Sequence, residues 1–271
     1  MTEPTGGQLA LLIVSVALFA AGWGASLARA WVGAERESFR IAAKACVYGG
    51  LTVGAGVLAW HSARRGNWLP LADNFDALVW LGLLLAAFVM YTQGTRPLRG
   101  LDWFVLPIVV LLLVLAAVFG RTNPHEYDAR SVWLWTHRVT AYGGAIGFAL
   151  AAAVGAMYLI VNHRLRSKAP SASGAGGGFA SLERLEHLTL VSVTLGFSLL
   201  TVGAVTGVLR ILGEGKHTPP AKIVLALAVW LVYALVLHSP INPSFRGRRA
   251  ALLSVVGFVL MVGTIFAVQF I

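Results

Sequence analysis

The 271-residue chain is 58% hydrophobic and 12% charged, with a mean hydropathy of +0.77; a soluble domain carries about twice that charged fraction. Its apolar runs of about twenty residues match a bilayer core about 30 Å thick, which excludes soluble enzyme folds and ten-residue barrel strands. The formal charge of +10 fits basic loops that orient a membrane protein rather than nucleic-acid binding. The one cysteine, Cys46, excludes an intrachain disulfide, a CxxC redox pair and a cysteine zinc site.

The first apolar run, Leu9 to Val32, follows Thr2-Glu3-Pro4 without a basic residue and is too long for a signal-peptide core, so it reads as a retained helix. Seven further spans are expected at 41–62, 75–93, 101–119, 134–162, 187–212, 221–239 and 249–270. The fold class is therefore all-α, a polytopic bundle of about eight transmembrane helices. The loops after spans 1, 3, 5 and 7 hold the tighter basic groups: Arg36 and Arg40, Arg96 and Arg99, Arg164 to Arg184, and Arg246, Arg248 and Arg249. Those loops should be cytoplasmic, which leaves both termini outside. A cytoplasmic loop over 163–182 contains the low-complexity tether Ala169 to Gly178, APSASGAGGG. It is a flexible loop within one integral-membrane domain, 1–271. Glu183 and Glu186 then sit in the first turns of the next helix, where the dipole favours acid.

Seven histidines are the main chemical resource. His61 ends span 2 and His137 opens span 5, both on the outer side, and His125 and His217 fall in outer loops. His163, His187 and His238 lie towards the inner side. A 26-residue span is about 39 Å long, so His137 and His238 stand near opposite faces and cannot share one iron. Each of His61, His137 and His238 has a plain alternative as an interfacial residue, its ring at headgroup level. Behind His137 runs a small-residue face, Gly143, Gly144, Gly147, Ala151 and Gly155, suited to close helix packing. HExxH, GxSxG and phosphate-loop patterns are absent, and Asp76 and Asp102 fall at helix starts where capping accounts for them. Asp73, Asn74 and Asp76 are the nearest approach to a paired acid–base site.

THRVTAYGGAIGFALAAAVGAMYLI resembles the H-xxx-AY helix of cytochrome c assembly proteins, the haem-handling group that includes CcsA, ResC, CcmC and CcmF. AWHSARRGNWLPLADNFDALVWLGLLLA, LGFSLLTVGAVTGVL and WLVYALVLHSPINPSFRGRRAALLSVVGF are similar to further family segments in the same order. The likeness covers about 45–271, and the chain's shortness places it closest to the eight-span HemX and YpjD-like branch. Two departures stand out. LRILGEGKHTPPAKI occupies the place of the family's tryptophan-rich outer loop, and Ile271 ends the chain where larger members continue to a second outer histidine.

The resemblance implies a multi-pass protein of the bacterial cytoplasmic membrane that binds, stabilises or delivers haem during cytochrome c biogenesis. Its partners would be haem, other assembly subunits and the lipid bilayer, with no nucleic acid. By position, His137 corresponds to the family's first outer histidine, His238 to a histidine of a haem site within the membrane, and His61 to one common in the CcsA branch. The implied cofactor is haem b, with His137 and His238 as iron ligands. Arg64, Arg65, Arg121 or Arg138 would pair with propionates. The chain would be a non-catalytic subunit. The alternative is a HemX-like regulatory or scaffolding protein of tetrapyrrole synthesis without a cofactor, working through its cytoplasmic basic loops.

Overall fold

A computed structural model describes residues 3–31, 37–66, 68, 73–95, 98, 100–120, 132–167, 180–214, 220–238 and 246–270. Among these residues the chain forms eight α-helices: α1 (Gly6–Trp31), α2 (Glu37–Arg65), α3 (Asn74–Thr95), α4 (Leu101–Phe119), α5 (Val132–Arg166), α6 (Leu182–Glu214), α7 (Pro220–Leu237) and α8 (Arg248–Phe270). Six of them, α1 to α6, are long and apolar enough to cross a membrane, and α7 contributes a shorter apolar stretch, Ile223–Leu237. The polytopic all-α architecture is as the apolar runs predict. The tether Ala169 to Gly178 lies outside the described residues.

Local sequence explains where several helices begin. Thr5 and Gln8 form a capping box at α1: the Thr5 N–H donates to Gln8 Oε1 at 2.9 Å, and the Gln8 N–H donates to Thr5 Oγ1 at 3.3 Å. The Asp76 N–H donates to Asp73 Oδ1 at 2.7 Å, which caps α3. Ser181 Oγ accepts from the Arg184 N–H at 3.3 Å at the start of α6. Pro220 opens α7, a position at which a missing N–H costs nothing.

The helices fall into two compact units, α1–α4 and α5–α8. Within the first unit, neighbours run antiparallel, with α1 against α2 and α4, and α3 against α2 and α4. Ser15 Oγ donates to the Gly50 carbonyl at 2.8 Å, and a Cβ at Gly54 would lie 2.6 Å from Leu83, so α1, α2 and α3 meet at small residues. Pro107 lies inside α4 and has no N–H for the Trp103 carbonyl one turn earlier. Trp23 Nε1 on α1 donates to that carbonyl at 3.1 Å. Ser26 Oγ accepts from Trp103 Nε1 at 3.0 Å and donates to Asp102. Asp102 thus belongs to an interhelical network, more than the capping role its position predicts.

The second unit is organised by α5, which packs most extensively on α6 and next on α8. The expected small-residue face is where α6 approaches. A Cβ at Gly147 would lie 2.8 Å from Gly196 Cα and 2.9 Å from the Ser192 carbonyl oxygen; at Gly144 it would lie 3.0 Å from the Gly196 oxygen. Further along, a Cβ at Gly155 would lie 3.0 Å from the Ala251 carbonyl oxygen of α8. Backbones this close gain dispersion along their whole length, the main attraction available between helices in lipid. Phe148 of α5 stacks on Tyr233 of α7 with centroids 3.5 Å apart and planes 7° from parallel. The Tyr233 hydroxyl donates to the Ser254 carbonyl on α8 at 3.2 Å, so its buried polar end is satisfied.

Candidate functional site

His137 is the sixth residue of α5 and faces α6. Its Nδ1 lies 2.6 Å from the carbonyl oxygen of Gly203. A carbonyl only accepts, so Nδ1 carries a proton, and in the neutral ring Nε2 carries the lone pair. Gly207 makes room for the ring, and Gly203, four residues earlier, lets α6 close on the α5 backbone at Ala141. A Cβ at Gly207 would sit 2.9 Å from His137 Cε1 and 3.0 Å from Nδ1. The imidazole is half-buried, held against backbone that any side chain would displace. A ring with one nitrogen fixed by a backbone carbonyl is the usual arrangement of a histidine that ligates iron through the other. The glycine pair lies in GAVTG (203–207), whose four-residue spacing was visible in the sequence although its function as a seat for His137 was not.

His61 is placed differently from an interfacial ring. It is 1% exposed, near the end of α2 in the first unit. Its Nε2 donates to Asp73 Oδ2 at 2.8 Å, and its ring lies 4.9 Å from that of Phe75. Nδ1 is buried with no hydrogen-bond partner among the described residues. Arg65 reaches Asp73 Oδ2 at 3.2 Å and Asp76 Oδ2 at 3.6 Å, with Asp76 fully buried. Burial would raise the Asp73 pKa, but the hydrogen bonds from His61 and the Asp76 N–H and the charges of His61 and Arg65 outweigh it. The carboxyl is held below its ordinary 3.8. The Asp73–Asp76 segment is thus the counter-ion of a buried His–Arg pair. Arg64 points elsewhere, to the Glu3 carbonyl at 3.3 Å and Gln8 Oε1 at 3.5 Å.

His238 follows the last residue of α7, and its N–H closes the helix on the Ala234 and Leu235 carbonyls at 3.1 and 3.2 Å. Its side chain is exposed. Within the second unit His137 and His238 belong to opposite ends. His137 is level with Gly203 and Gly207, whereas Tyr233 of α7 stacks on Phe148, eleven residues further along α5, and His238 lies five residues beyond Tyr233, about 24 Å from the level of His137. The two do not share one iron. His125, His217 and Arg121 lie outside the described residues.

An α-helical, multi-pass membrane protein with a helix-borne histidine pinned by a backbone carbonyl is the class these observations define. Residues 68–271 match the family model described as cytochrome c assembly protein. The chain belongs to this family, and its role is in cytochrome c biogenesis. It is similar to the cytochrome c biogenesis protein CcsA of Thermosynechococcus vestitus, 27% identical over 237 residues, covering 72% of this chain and 73% of that protein. The CcsA of Prochlorococcus marinus strain MIT 9515 is 30% identical over 229 residues, covering 74% of this chain and 72% of the relative. A shorter stretch of 82 residues is 40% identical to the CcsA of a Synechococcus species, covering 29% of this chain and 27% of the relative.

Proposed function

We propose that the protein holds haem b and hands it on within a cytochrome c assembly complex of the bacterial cytoplasmic membrane, as a binding rather than a catalytic subunit. His137, His238 and His61 are the candidate ligands. The observation that carries this reading is the fixed tautomer of His137, which directs the Nε2 lone pair away from the Gly203 carbonyl. His137 fits an axial ligand in its present position. His238 fits one too, since its side chain is exposed at a helix end. His61 fits only if its pocket opens, because its ring is enclosed by Asp73 and Phe75. Its carboxylate partner would raise the basicity of the opposite nitrogen, as carboxylate partners do for metal-bound histidines.

Haem, when bound, supplies an iron that takes neutral imidazole and two propionates that take cationic side chains. The chain's own contribution is to orient the imidazoles, His137 through the Gly203 carbonyl and His61 through Asp73. Membership of the assembly family favours this reading over a regulatory one without cofactor. The test is the visible spectrum of protein purified from cells making haem. A Soret band is expected in the wild type, weakened in His137→Ala and His238→Ala. A spectrum without that band, or one identical in all three proteins, overturns the proposal.

A further inference from the structure

A cavity of about 610 Å³ in the second unit lies far from His137, where α5 ends and α6 and α8 begin. Four arginines line it, Arg166 from the last residue of α5 and Arg246, Arg248 and Arg249 from the start of α8, against one carboxylate, Glu186 of α6. Arg246 Nε reaches Glu186 Oε1 at 3.4 Å. Arg166 and Arg248 have no carboxylate partner among the described residues. The positive charge of Arg166 and Arg248 is therefore not balanced by the described residues of the cavity's own walls.

The floor is shaped by Gly247, whose φ of +61° is left-handed. A Cβ there would lie 2.6 Å from the Tyr158 hydroxyl, so the glycine lets backbone and phenol come together beneath the arginines. The cavity sits at the edge of the hydrocarbon level, since the apolar run of α5 ends at Val161 and that of α8 begins at Ala250. One lip is apolar. Leu252 lines the cavity there at 42% exposure. A volume of this size lies within the range of ligand sites, about 300–1,000 Å³.

We infer that this cavity binds a phosphate ester anion, supplied by the headgroup of an anionic phospholipid. Guanidinium groups match phosphate oxygens bidentately, and basic pockets at the ends of membrane helices are seats for acidic headgroups. The apolar lip gives the acyl chains somewhere to lie, which a soluble phosphate would not use. Headgroup binding would tie α5 to α8 at the end where no covalent link joins them directly. A bound phosphate competes with Glu186 for Arg246 and meets Arg166 and Arg248 without such competition.

The test uses the full chain in detergent, with dioctanoyl phosphatidylglycerol, dioctanoyl phosphatidylcholine and inorganic phosphate as separate probes. Melting temperature and, by native mass spectrometry, lipid carried through purification are the readouts. Phosphatidylglycerol is expected to raise Tm where phosphatidylcholine does not, and the wild type to retain acidic lipid. The Arg166→Gln/Arg248→Gln double variant should bind at least about tenfold more weakly, and the corresponding Lys/Lys variant should recover part of the loss. Both positions are exposed, and an unchanged Tm without lipid establishes that the variant is folded. A rise with inorganic phosphate that phosphatidylglycerol does not exceed overturns the lipid source and leaves a soluble phosphate ligand. Equal response to the two lipids with none to phosphate, no retained acidic lipid, or a response unaltered in the double variant overturns the site.

Discussion

Asp73 serves two structures at once, capping α3 through Oδ1 and receiving His61 and Arg65 through Oδ2. Because its folded pKa lies below the ordinary 3.8, its contribution is fully present above that value and is lost as pH falls through the lower folded value. Asp73→Asn should cost about 2 kcal/mol near neutral pH, the size of a charge-assisted hydrogen bond. Its deficit relative to wild type should shrink below pH 3.8. Melting curves in detergent, followed by circular dichroism at pH 7 and pH 3, check both halves of that expectation. A constant deficit across the range would mean that the charge of Asp73 contributes nothing. The residue also marks where sequence stops informing. Asp73 stood out with Asn74 and Asp76 as the nearest approach to a paired acid–base site, but its partner lies twelve residues back, and no spacing rule links the two.

At the scale of elements, hydropathy located each helix because lipid admits only self-satisfied backbone. The expected span 134–162 became α5, Val132–Arg166, and 187–212 became α6, Leu182–Glu214. The ends differ because an apolar run measures the hydrocarbon, whereas backbone hydrogen bonding continues past it into polar sequence. The small-residue face of α5 was legible for the same reason of period. The complementary glycines on α6 were less so: Gly203 and Gly207 look like ordinary packing residues until the ring opposite them is known. Gly207→Val should therefore push the His137 imidazole out of its slot and weaken the Soret band as His137→Ala does. Gly24→Val, at a position where a Cβ meets nothing within 4 Å, should leave it unchanged. Equal spectra for the two glycine variants would show that the seat of His137 is not the α6 backbone. Gly147→Leu should lower Tm more than either, because its side chain would meet Gly196 and Ser192 backbone, which cannot rotate away.

For the whole molecule, the sign of the loops makes a directional claim. With Cys46 replaced by Ser, a cysteine at Trp133 (56% exposed) should react in intact cells with a membrane-impermeant maleimide. A cysteine at Leu165 (64% exposed), at the opposite end of the same helix, should react only after permeabilisation. The reverse labelling pattern would invert the topology and place His137 inside. The loops between helices were the least legible part of the chain, because they carry no helical period.

Pro107 ties the order of assembly to the order of the sequence. A newly inserted α4 has a carbonyl at Trp103 that lacks the N–H one turn on, and the donor for it, Trp23, belongs to α1, made before α4. Docking of α4 on α1 would therefore satisfy a carbonyl that α4 alone leaves open. Trp23→Phe removes that incentive while keeping the ring. It is expected to slow accumulation of protease-resistant protein during cell-free synthesis into membranes, more than it lowers the final Tm. An N-terminal helix that looks like a simple anchor would then be the template against which its own unit closes.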